Sequence, residues 1–138
     1  MATTYDLTEG SAGIAFNGLE KLYRLQIDVD CATDNIGSSE TAALFNIPAY
    51  HKVLYGVVKV TTAEGGTATA DIGITGGTVD GIIDGVNLNA TGVTDTVSSG
   101  STFGEQAIGT SAYTIDLLAN NALDACAFTV TILVMDCS

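Results

Sequence analysis

The groups able to do chemistry are one histidine, three cysteines and a scatter of aspartates. His51 is the sole imidazole. A general base needs a nucleophile or an orienting partner within hydrogen-bond reach, and nothing in the sequence around Pro48, Tyr50 and Lys52 supplies one. His51 therefore reads as a half-exposed structural residue at a strand start. Asp71, Asp80 and Asp84 form the best carboxylate group. Calcium takes about 6–8 oxygens, and these positions do not have the EF-hand spacing. A glycosidase needs two carboxylates flanking a sugar cleft, and the chain has no tryptophan to stack on a sugar. Asp80-Gly81 and Asp84-Gly85 fit turn chemistry better. The glycines at 65, 66, 73, 76, 77, 81 and 85 lack the lysine and the strand-to-helix context of a phosphate loop.

Cys31, Cys126 and Cys137 are odd in number and contain no CxxC pair. That argues against a disulfide framework and against a zinc site. Cys126 and Cys137 are an odd number of positions apart, so on one strand they face opposite ways; Cys31 is able to meet either. Reduced thiols are expected. No cofactor, no metal and no enzymatic activity are expected.

The elements that would carry these groups are strands. Residues 22–31 alternate cleanly, with Tyr23, Leu25, Ile27, Val29 and Cys31 on one face and Arg24, Gln26, Asp28 and Asp30 on the other. His51–Thr62 is a long Val-rich run, 67–75 an alternating one, and 79–88 a third interrupted by the Asp-Gly pairs. Glycine pairs between such runs are hairpin signals, so 51–88 reads as a three-stranded antiparallel meander. Ser39–Asn46 reads as a short helical turn with Ser39 as N-cap. Pro48, the only proline, ends it, and the segment is expected to cross between sheets. Residues 89–111 are polar and glycine-rich and read as a flexible surface excursion or an ordered contact loop. Tyr113–Leu118 and Ala125–Met135 are the closing strands; the second, apolar on both sides, reads as central and covered on both faces.

Strand runs with turn signals and almost no helical periodicity give an all-β, two-sheet antiparallel sandwich, jelly-roll-like. Residues 1–20 read as an N-terminal arm or loop and 21–138 as the β-sandwich domain. At 138 residues and 46% hydrophobic composition, one well-packed core is expected. Net charge is −12, and all four basic residues, Lys21, Arg24, Lys52 and Lys59, precede residue 60. Such acidity disfavours nucleic acid and anionic membranes as partners. MATTYDLTEG lacks a basic n-region and an apolar run, so no secretory signal is expected. No apolar stretch reaches the ~18 residues of a membrane span.

Residues 67–88, TATADIGITGGTVDGIIDGVNL, resemble a run in small head-decoration and other structural proteins of tailed bacteriophages. The later YTIDLLAN and ALDACAFTVTILVMDC are similar to the closing strands of those proteins. In size and class the chain also resembles the jelly-roll cement proteins of podophages, of which a Bordetella phage carries one. The resemblance implies a cement protein on the outside of a virion, made in the host cytoplasm, clamping major capsid protein subunits together. A homo-oligomer is expected, a dimer in preference to a trimer. The apolar residues Leu44, Phe45, Ile47 and Tyr50, with Lys52 beside them, are the expected partner interface; residues 1–20 and 36–52 would dock on the capsid or on a second copy and 89–111 would face solvent, the equal alternative being that Phe45 and Ile47 cap one end of the sandwich core. The alternative is a small carbohydrate- or ligand-binding module of a phage fibre, with Tyr5, Tyr23, Tyr50, Tyr55 and Tyr113 as stacking residues. A cupin-type enzyme fails for want of histidines.

Overall fold

The computed structural model describes residues 21–75, 77–97, 99 and 110–138, so the expected arm at 1–20 lies outside the described residues. Eight strands follow in order: β1 (Leu22–Asp30), β2 (Thr41–Ile47), β3 (His51–Thr62), β4 (Thr69–Ile74), β5 (Ile83–Asn87), β6 (Gly92–Asp95), β7 (Tyr113–Ala119) and β8 (Ala127–Asp136). They form two four-stranded sheets, ordered β1-β8-β3-β6 and β2-β7-β4-β5.

The order has a simple origin. β1 pairs with β8, β2 with β7, β3 with β6 and β4 with β5, all antiparallel. That is one long two-stranded ribbon with its bend between β4 and β5. Rolled up, it zips along itself through β3–β8 and β4–β7. The result is the jelly-roll arrangement, a double-sheet sandwich of eight strands. The period-2 pattern decides which side of each strand faces in. Phe128, Val130, Ile132 and Val134 of β8 meet Ile115, Leu117 and Ala119 of β7 and Ala70 and Ile72 of β4 in one buried core.

Several expectations change. The helical turn at Ser39–Asn46 is a strand, β2. Ser39 is not an N-cap: its φ is 65°, and its N–H bonds Ala119 O at 2.8 Å. A β-bulge at Leu44, between Ala43 and Phe45, breaks the alternation that would have marked the strand. The meander at 51–88 is also overturned. β4 and β5 pair, but β3 lies in the other sheet between β8 and β6. The turn at Glu64–Gly66, with Gly65 at φ 88°, joins sheets rather than closing a hairpin. The expected third run shortens to β5, and the stretch before it forms turns. β6 is a strand inside what read as a long excursion. β8 is central, as expected, but among the described residues no second layer covers its outer face, where Leu133 is 37% exposed. Pro48 does stand at the crossing from β2 to β3, and so from one sheet to the other.

Two glycine-linked features hold the β4–β5 end. Gly85, at φ 82°, is part of a two-residue bulge, and its N–H donates to Asp71 Oδ1 at 2.8 Å. Asp71 Oδ2 accepts from Asn120 Nδ2 at 3.1 Å. The second feature is Gly73. The 78–81 turn folds back over it, with Ile74 N–H donating to Thr78 O and Ile82 N–H to Ile72 O. A Cβ on Gly73 would lie 2.1 Å from Thr78 O. Backbone cannot yield as a side-chain tip can, so Gly73→Ala should cost roughly 2–3 kcal/mol. A Cβ on Gly66 meets nothing within 4 Å, so Gly66→Ala should be neutral or slightly stabilising. Urea unfolding of both variants checks the contrast; a Gly73→Ala midpoint equal to that of the parent would disprove the close approach.

Candidate interaction surface

His51 gains the partners that its sequence neighbours lack. Its Nδ1 is 2.6 Å from Tyr23 Oη, and its Nε2 is 3.2 Å from Asp136 Oδ1. The rings of Tyr23 and His51 meet edge-on, 5.5 Å between centroids. Tyr113 Oη donates to His51 O at 2.8 Å, and Cys137 N–H donates to Tyr50 O at 2.8 Å. β1, β3, β7 and β8 thus meet at one end of the sandwich. An imidazole between a hydroxyl and a carboxylate has the outline of a catalytic triad. The hydroxyl, however, is a phenol, and burial together with Asp136 raises the Tyr23 pKa above its ordinary value. That opposes ionisation of the phenol, and the hydrogen bonds of the cluster join β1, β3 and β8 at this end of the core.

A second closure, at the opposite end of β3, was not legible as a site. Glu64 follows that strand. Its carboxylate accepts the N–H groups of Asp124 at 2.9 Å, Ala125 at 3.1 Å and Cys126 at 2.8 Å. Burial by itself would raise the Glu64 pKa, but the three backbone donors and the Cys126 thiol outweigh it and bring the pKa down to about 2. Nothing marks Glu64 in the sequence, because its partners lie 60 or more residues away.

The remaining groups fall into place as scaffold. Asp71 is absorbed by the Gly85 bulge, and Asp84 is exposed beside it. Among the described residues no group of three or more His, Cys, Asp or Glu is placed to hold a metal ion. Cys31 and Cys126 are fully buried and meet where the β1–β8 ladder ends, Cys31 N–H donating to Cys126 O at 2.9 Å. Burial pushes both thiols above their ordinary pKa. Cys137 is exposed.

The residues expected at an interface separate. Ile47 is fully buried in the chain's own core, and Leu44 and Phe45 are half-buried against that core. Tyr50 is 48% exposed and sits at φ 62° in the Pro48 turn. Lys52 is partly exposed on the outer face of its sheet, opposite Met135. Beside Leu44, the open seam between β1 and β2 holds a cavity of about 340 Å³, with Ile27, Val29, Ile36, Leu44, Leu117 and Phe128 as its apolar lining. A second, of about 330 Å³, lies on the other sheet by Gly73, Val79 and Leu118. Neither is lined by Tyr23, Tyr50, Tyr55 or Tyr113, the described members of the tyrosine set expected to stack on a sugar.

No protein-family profile matches the chain, and no curated protein matches its sequence. Its fold is similar to that of chains in three phage capsids. One is in the acidic stable capsid structure of Helicobacter pylori bacteriophage KHP30, with a TM-score of 0.61 and 13% identity over 85% of this chain and 89% of that one. Another is in the capsid of Ralstonia phage GP4, with a TM-score of 0.65 and 14% identity over 85% of each chain. The third is in the cyanophage Pam1 capsid asymmetric unit, with a TM-score of 0.57 and 13% identity over 83% of each.

Two measurements follow from the geometry. Glu64 has a folded pKa lowered from 4.5 to about 2. Its contribution is therefore complete above about pH 4.5 and lost as pH falls through about 2. Glu64→Gln should be less stable than the parent at pH 7, and the gap should close on acidification across that window; a pH-independent gap would rule out the charged latch. In the native protein a thiol reagent should modify Cys137 alone, and all three cysteines after unfolding. Rapid native labelling of Cys31 or Cys126 would contradict their burial.

Proposed function

We propose that the chain is a structural component of a tailed-phage virion: a non-enzymatic cement or decoration protein on the outside of the head, binding neighbouring major capsid protein subunits. The observation that carries this reading is the jelly-roll fold shared with chains of three phage capsids over 83% or more of this chain. The sequence resemblance at 67–88 and over the closing strands points the same way. The side-chain chemistry supports it too, since both polar clusters, at His51 and Glu64, join strands rather than face a substrate.

The docking surface proposed on this reading is the Pro48 end, where Tyr50 is exposed and Lys52 is partly exposed. Exposed apolar groups beside a cation suit an interface centre, and Lys52 is one of only four cations in a chain of net charge −12. Mass spectrometry of purified virions should find the protein at a copy number proportionate to the shell. Lys52→Glu and Tyr50→Ser should lower its occupancy on added-back shells about tenfold, a loss of ~1.4 kcal/mol, while Val97→Ser should not. Absence from purified virions would overturn the reading.

A further inference from the structure

We propose that the seam between β1 and β2 is an acceptor groove for residues 10–19 of a second copy of this chain, laid in as an extended strand. β1 and β2 are outer strands of their respective sheets, so each has an edge without a strand neighbour among the described residues. The inward residues of β1, Tyr23, Leu25, Ile27 and Val29, are only partly buried, whereas their neighbours on β8 are at most 1% exposed. The cavity of about 340 Å³ opens along this seam. β2, Thr-Ala-Ala-Leu-Phe-Asn-Ile, contains no charge and no proline. Those are the usual means of blunting an edge, and a strand without them is a template for another.

The rim and floor of the groove select the occupant. Asp28, Asp34 and Glu40 stand around an apolar floor. A negatively charged segment would be repelled there, and an uncharged one with apolar residues two apart would fit. Residues 10–19, GSAGIAFNGL, are ten consecutive uncharged positions, with Ile14 and Phe16 spaced to share one face of a strand.

Reach argues for a second copy. The groove's β1 wall, Ile27–Val29, is five to seven residues past Leu22, or about 17–24 Å along the strand. Phe16 is six residues before Leu22. It would need nearly its full extension, about 20 Å, with none left for the reversal. A tight turn at Asn17-Gly18 would instead lay Thr8 and Asp6 opposite Ile27 and Val29, polar residues against the apolar row.

The test uses the purified full chain without any shell, so its outcome is independent of the virion reading. In a Cys137→Ser background, Phe16→Cys is placed in one tagged chain and Ala42→Cys in another, and the two are co-expressed and mildly oxidised. The expected product is a disulfide-linked dimer carrying both tags. Adding Leu44→Asp to the acceptor chain should reduce its yield about tenfold while circular dichroism shows the fold intact. Should Leu44→Asp unfold the chain, Thr41→Lys at the groove rim should give the same loss. Failure to form a disulfide between the two tagged chains would overturn the proposal, and so would a full-length parent that is monomeric by light scattering.

Discussion

The β3–β8 ladder is the interaction on which the rest of the molecule depends, and it is fastened at both ends by charged groups. β8 lies between β1 and β3, so it carries the centre of one sheet and, through Phe128, Val130, Ile132 and Val134, much of the core. His51, the first residue of β3, pairs with Asp136, the last of β8. Glu64, two residues beyond β3, holds the three N–H groups that lead into β8. Hydrogen bonds to charged groups are worth more than neutral ones. Placing them at the two ends opposes fraying where a ladder opens first. The partners are separated by 60 residues or more in sequence, so neither fastening forms before the final strand is in place.

That separation explains what the sequence disclosed. β1 and β7 are legible because each alternates with period 2, and β3 and β8 because each is a long run rich in β-branched residues. β2 hides its period because its bulge puts Leu44 and Phe45 side by side, imitating a helical spacing. β6 leaves little signal because it is four residues long and begins with Gly92. The pairing of β3 is not local: a glycine turn signals reversal of direction, while the sheet that the chain enters next is fixed by pairing far along the sequence. The same limit hid the site. Tyr23 lies 28 residues from His51, and Asp136 lies near the other end of the chain. Individual side chains gave the inward faces; only the rolled ribbon gave the neighbours.

Rolling the ribbon also sorts charge. The outer face of β1-β8-β3-β6 carries Arg24, Lys52 and Lys59. With them are Leu133 and Met135 of β8, Tyr55 of β3, and Val93 of β6, which is 64% exposed. The outer face of β2-β7-β4-β5 has no cation and presents Asp71, Asp84 and Asp116. A chain of net charge −12 therefore has one face where acids are offset and one where they are not. On approach to another acidic surface, repulsion is weakest over the first face and strongest over the second, so a preferred orientation is built into the strand order.

The two edges of the sandwich are treated differently as well. At the β5–β6 edge the outermost strands are five and four residues long, and short strands offer little to pair with. At the β1–β2 edge they are nine and seven residues long and flank an apolar cavity. Glu64 and His51 fasten the β3–β8 ladder, which lies away from that seam. A strand that adds there extends a sheet already complete and covers apolar rows the fold leaves half-exposed. Its binding energy is then available for association rather than for folding.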